Sequence, residues 1–108
     1  MCIRDSSYLH KSGVCHRDLK PDNLFVDPST MSVKLMDFNI AKRFREGTKL
    51  RQMRTMTGLD MWSAPETRRG EAYTEAIDLW GVGVILYFVL QQQPPFIDHN
   101  EAKLMEKV

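Results

Sequence analysis

The sequence predicts an α+β fold that is mainly helical and carries one small β-hairpin. Three observations predict it. An apolar stretch from Leu79 to Leu90 is bounded by Thr74 on one side and Pro94-Pro95 on the other. Two short apolar runs, Leu24-Phe25-Val26 and Val33-Lys34-Leu35-Met36, flank Asp27-Pro28-Ser29-Thr30, which is turn chemistry. From Ala41 to Met61 no apolar period is sustained, which reads as a long loop.

Taken in order, Ser6 to Lys11 reads as the tail of a helix stopped by Gly13, since glycine just past a helix end supplies the left-handed cap. A loop follows, and then the hairpin. The long loop is basic: Lys42, Arg43, Arg45, Lys49, Arg51 and Arg54 stand against Glu46. Thr74 is the N-cap candidate for the apolar helix, which runs to about Gln92, where the prolines forbid continuation. Glu101 to Val108 begins another helix. There are no repeats and no linker.

Composition excludes several classes. A net charge of +1 over 108 residues and a pI near 7.8 argue against a nucleic-acid footprint. Cys2 and Cys15 are too few for a disulfide framework, so a reducing, cytoplasmic or nuclear setting is expected, and zinc is unsupported. The first residues lack a secretory layout and the longest apolar run is too short to span a bilayer, so no membrane partner is expected. Met1-Cys2-Ile3-Arg4-Asp5 resembles the in-frame translation of a transposase adapter used in sequencing libraries. On that reading residues 1–6 stand outside the domain and residues 7–108 are its remnant; the alternative is that they begin a real helix.

His16-Arg17-Asp18-Leu19-Lys20-Pro21-Asp22-Asn23 follows a helix and precedes a strand, and it closely resembles the catalytic loop of protein kinases. Phosphoryl transfer to a hydroxyl needs an acceptor for the departing proton, a cation near the transferred phosphate, and a ligand for magnesium. The resemblance assigns these to Asp18, Lys20 and Asn23, with ATP and Mg²⁺ as cofactors. Lys20, two residues after the aspartate, resembles the serine/threonine type, which implies protein substrates with Ser/Thr acceptors.

Asp37-Phe38-Asn39 stands where the family has Asp-Phe-Gly, so Asp37 is the second magnesium ligand and Phe38 a packing residue. Asn39 departs from the pattern, although asparagine tolerates left-handed backbone. Ala64-Pro65-Glu66 resembles the motif closing the activation segment, with Glu66 structural. Asp78-Leu79-Trp80-Gly81-Val82-Gly83 resembles the start of the family's central helix, where Asp78 anchors the catalytic loop from behind; its plainer reading is an acid favoured by the helix dipole. Together these imply a protein-kinase-like fold, here a partial and mainly helical C-terminal lobe.

Finer readings follow from the resemblance. Pro94-Pro95-Phe96 resembles the calcium/calmodulin-dependent kinase group. Asp22 matches an acid that reads basic residues upstream of the acceptor, while Phe88 occupies the place of a second such acid. Thr55 or Thr57 is the expected target of an upstream activating kinase, its phosphate pairing with Arg17; alternatively these threonines, with Thr48, merely solvate a loop. Leu59, after Gly58, replaces a threonine expected to bond the catalytic aspartate and lysine. Cys15 and His16 read as structural, and His10 and His99 carry no partner pattern. The glycine-rich loop, strand lysine and partner glutamate that the family places upstream are absent, so the chain reads as an inactive fragment of an active kinase. The rival is a pseudokinase that binds or scaffolds.

Overall fold

The computed structural model describes residues 2–55 and 61–95, with side chains from Ser6 onward. Among the described residues the architecture is α+β: three α-helices and three separate two-stranded antiparallel sheets. Helix α1 (Cys2–Lys11) ends at Gly13, whose φ of +80° is the left-handed cap expected. That glycine is demanded twice over, because a Cβ there would sit 2.5 Å from the Arg45 carbonyl oxygen. The close approach lets the Gly13 carbonyl accept the N–H groups of Phe44 and Arg45 at 2.8 and 3.3 Å.

Strand β1 (Val14–Cys15) pairs with β4 (Lys42–Arg43). The expected hairpin forms from β2 (Leu24–Asp27) and β3 (Ser32–Leu35), in the register Leu24 opposite Leu35. Its turn is fixed by Asp27, whose carboxylate accepts the Ser29 backbone N–H at 2.9 Å and hydroxyl at 2.7 Å; the hydroxyl bond, foremost, holds that carboxyl below its ordinary value.

The long basic segment is not the featureless loop expected. Besides β4 it contains a second hairpin, β5 (Arg45–Glu46) against β6 (Lys49–Leu50), turned by Gly47 at φ +62° and Thr48. Two-residue strands are too short to show a period of two, so propensity reading misses them. A short helix α2 (Pro65–Arg68) then starts on a proline, whose missing N–H would be unpaired there anyway. Helix α3 (Ala76–Gln91) begins one residue later than expected, with the Thr74 hydroxyl still accepting the Ala76 N–H at 3.3 Å. It stops at Gln92, left-handed at φ 58°, whose N–H bonds Phe88 C=O at 2.7 Å.

The core is Cys15, Phe44, Met53, Ala64, Tyr73 and Ile77, with Trp80 packed against it. It therefore joins β1, the basic segment, the residue before α2, and the start of α3. Helix α3 is apolar on every face, and Leu79, Leu86, Val89 and Leu90 are exposed. Among the described residues, no helix is long and apolar enough to cross a membrane. The expected helix at Glu101–Val108 lies outside the described residues, as do Phe96, Thr57, Gly58, Leu59 and His99.

Candidate active site

The loop between β1 and β2 is suspended from α3. Asp78, in the first turn of α3 and 1 % exposed, accepts the backbone N–H of His16 at 2.8 Å and of Arg17 at 2.9 Å. His10 of α1 bonds the same carboxylate through Nε2 at 2.9 Å. Burial pushes the Asp78 carboxyl up, but these donors outweigh it and leave the group below its ordinary value. The anchoring expected of Asp78 is thus a direct double hydrogen bond. His10, which carries no partner pattern in the sequence, has a partner 68 residues away.

The donor atoms of His10, Cys15 and Asp78 lie within 4.8 Å of one another, which is close enough for a metal. The carboxylate, however, is already occupied by three N–H donors. Burial, aided by the neighbouring Asp78 charge, pushes the Cys15 thiol far above its ordinary value. This is the chemistry of a hydrogen-bonded knot behind the loop.

His16, fully buried, orders the turn. Its Nδ1 accepts the Asp18 N–H at 3.2 Å, which leaves the proton on Nε2 to bond the Met36 carbonyl at 2.9 Å. The Phe38 ring packs edge-on against it, with centroids 4.9 Å apart and Phe38 itself half exposed. Leu19 is buried against Gly81 of α3, where any Cβ would lie 2.9 Å from Leu19 Cβ. Packing and hydrogen bonds therefore fix the loop on both sides of Asp18.

Three expected residues meet at that point. Asn23 closes a single 3₁₀ turn, Pro21–Asn23, and its amide nitrogen donates to the Asp18 carbonyl at 2.7 Å and carboxylate at 2.9 Å. Both amide hydrogens being used, the Asn23 amide oxygen is the atom left for a cation. The Lys20 ammonium lies 3.6 Å from the other Asp18 oxygen. Asp37 comes from the far side of the hairpin: Leu24 pairs with Leu35, and Met36 N–H bonds the Asn23 carbonyl at 2.8 Å, so Asp37 follows directly on the residue facing Asn23. Asp37 is exposed at φ 60°, with its carboxylate accepting the Asn39 N–H at 3.2 Å. The left-handed residue of this turn is therefore Asp37 and not Asn39, whose part is a backbone N–H. Asp37 faces water while Asn23 is buried; a carboxylate and an amide oxygen are the donor types that suit a hard divalent cation such as magnesium.

Other expected residues lie further out. Asp22 is exposed on the 3₁₀ turn. Phe88 packs edge-on against Trp62, with centroids 5.5 Å apart, which gives that position a structural use. Glu66 stands in the first turn of α2. Thr55 is exposed, but its carbonyl accepts the Tyr73 hydroxyl at 2.7 Å, and that hydroxyl accepts Arg17 Nη1 at 3.0 Å. Tyr73 has no spacing or motif that would reveal this role; its only signal is a buried aromatic carrying a hydroxyl that needs partners.

Comparison with known proteins shows the family. A profile of the protein kinase domain matches residues 3–108. Serine/threonine-protein kinase AtPK1/AtPK6 of Arabidopsis thaliana is 40% identical over 102 residues, which cover 94% of this chain and 21% of that protein. Two Dictyostelium discoideum proteins are similar: a "probable myosin light chain kinase", 40% identical over 103 residues (94% of this chain, 29% of the other), and the "probable serine/threonine-protein kinase fhkC", 41% identical over 105 residues (94% and 17%). The chain spans about a fifth of the length of the first of these relatives. Given this coverage and the serine/threonine kinases it resembles, the chain belongs to the protein kinase domain family.

Proposed function

We propose that the full-length protein transfers the γ-phosphate of ATP to serine or threonine hydroxyls of proteins, and that residues 7–108 are part of its C-terminal lobe. One observation carries this reading: the Asn23 amide, the Lys20 ammonium and the Asp18 carboxylate converge at one loop, with the hairpin register bringing Asp37 beside them. Asp18 accepts the proton of the substrate hydroxyl, and Lys20 steadies charge on the transferred group. Asn23 and Asp37 are the residues to hold magnesium. When bound, magnesium supplies charge neutralisation at the phosphates. The apolar residues exposed on α3 support a larger lobe around this chain, and the isolated chain should be inactive.

Placement in the calcium/calmodulin-dependent group, supported by Pro94-Pro95-Phe96, is a finer proposal, as is a preference for basic substrates through Asp22. The test is Asp18→Asn in the full-length protein, which should abolish phosphate transfer to a protein substrate while leaving the fold intact. Undiminished transfer would end the proposal. A scaffolding role is the second reading, favoured by Asn39 in place of glycine; under it the wild type transfers no phosphate and Asp18→Asn leaves partner binding unchanged.

A further inference from the structure

We propose that Tyr73 is a positioning residue that holds Arg17 and the activation segment in their working arrangement without a phosphate, so that catalysis depends little on phosphorylation at Thr55 or Thr57. The inference rests on the kinase reading above and concerns the regulation of that site.

Arg17 sits at φ 69°, a backbone conformation that long side chains seldom adopt, so its surroundings must hold it there. They do so at both ends. The backbone N–H is tied to Asp78, while Nε donates to the Ile40 carbonyl at 2.6 Å and Nη1 to the Tyr73 hydroxyl at 3.0 Å. The same hydroxyl donates to the Thr55 carbonyl at 2.7 Å. Tyr73 also grips the segment through its backbone. Its N–H bonds the Met53 carbonyl at 2.8 Å and its carbonyl accepts the Met53 N–H at 3.1 Å. Met53 is fully buried and Tyr73 is 3 % exposed, both within the main core.

A regulatory phosphate acts by gathering cations and thereby ordering a segment that is otherwise loose. Here a neutral phenol already joins the cation to the segment, and the segment is anchored in the core two residues before Thr55. A modification can only shift an equilibrium that is not already at one end. Guanidinium carries five N–H groups, so Arg17 retains donors for a phosphate, but that phosphate would meet a cation already fixed.

The experiment compares full-length wild type and Tyr73→Phe, each phosphatase-treated and each phosphorylated on the segment, by kinase rate and by hydrogen exchange at the Met53 amide. Treated wild type should keep its rate within about threefold, whereas treated Tyr73→Phe should lose about tenfold, the equivalent of one hydrogen bond, and exchange its Met53 amide correspondingly faster. Phosphorylation should restore the variant. A wild type silent until phosphorylated, a variant unchanged in rate and exchange, or a variant that phosphorylation fails to restore would each overturn the proposal. A wild type inactive in both states counts against the kinase reading itself; the exchange comparison then decides alone, and an unchanged Met53 amide overturns the role of Tyr73.

Discussion

The Asp78 carboxylate and the His16 backbone N–H, 62 residues apart in sequence, meet at 2.8 Å, and the Arg17 N–H joins them at 2.9 Å on the other oxygen. Replacing Asp78 with asparagine would swap one of these acceptors for a donor and leave a buried N–H facing another. The expected cost is roughly 3 kcal/mol, because charged, buried acceptors are the costly ones to lose. Chemical denaturation of Asp78→Asn should therefore show a large drop in midpoint. A change within error would mean that the loop is held mainly by packing.

His10 tunes the same group. Burial raises the Asp78 carboxyl, while hydrogen bonds from His10, Arg17 and His16 lower it below 3.8 in the folded protein. A depressed native value means that Asp78 contributes stability above its unfolded pKa and loses it as pH falls through the native one. His10→Ala removes a donor, so the native value should rise towards the unfolded one, and the stability lost on acidification should be smaller and complete at higher pH, with its onset unchanged. The check is a stability profile from about pH 6 down to about pH 2. Coincident acid limbs for variant and wild type, after allowing for any uniform loss, would contradict this.

Two glycines on α3 should respond with opposite signs. Alanine in a helix interior normally gains up to about 1 kcal/mol over glycine. At Gly83 nothing lies within 4 Å of an added Cβ, so Gly83→Ala should be neutral or stabilising. At Gly81 the Cβ would lie 2.9 Å from Leu19 Cβ and 3.2 Å from Leu19 O, atoms too close to the backbone to swing away. Gly81→Ala should cost roughly 1–3 kcal/mol and, by displacing the residue after Asp18, lower the phosphoryl-transfer rate proposed for the full-length protein. Thermal melts and initial rates of the two variants decide the matter; equal behaviour would refute it.

The parts of this structure that a sequence reading reaches are those written locally. His16 to Asn23 is contiguous and matches one motif of the family, so the convergence of Asp18, Lys20 and Asn23 is legible. The hairpin is legible too, because two short apolar runs flank the turn chemistry of Asp27-Pro28-Ser29-Thr30. What escapes is non-local. The pairing of Val14 with Arg43 involves two-residue strands with no period to detect, and it depends on Gly13 allowing the Arg45 carbonyl to approach. His10 with Asp78, and Arg17 with Tyr73, are contacts between residues that carry no mutual spacing signal. They become visible only once α1 and α3 are packed about the same loop.

Cys15 offers a test of that packing. It is fully buried, and burial together with the adjacent Asp78 charge pushes its thiol far above the ordinary value, so thiolate is scarce at neutral pH. Because the thiolate is the reactive form, native protein treated with iodoacetamide at about pH 7.5 should leave Cys15 unlabelled, while denatured protein should be labelled. Peptide mass spectrometry reads the modification at Cys15 directly. The same measurement on His10→Ala should show slow labelling appear, since opening the knot around Asp78 admits solvent to the thiol. Rapid native labelling of Cys15 in the wild type would mean that the region joining β1 to α3 opens far more often than its buried hydrogen bonds predict.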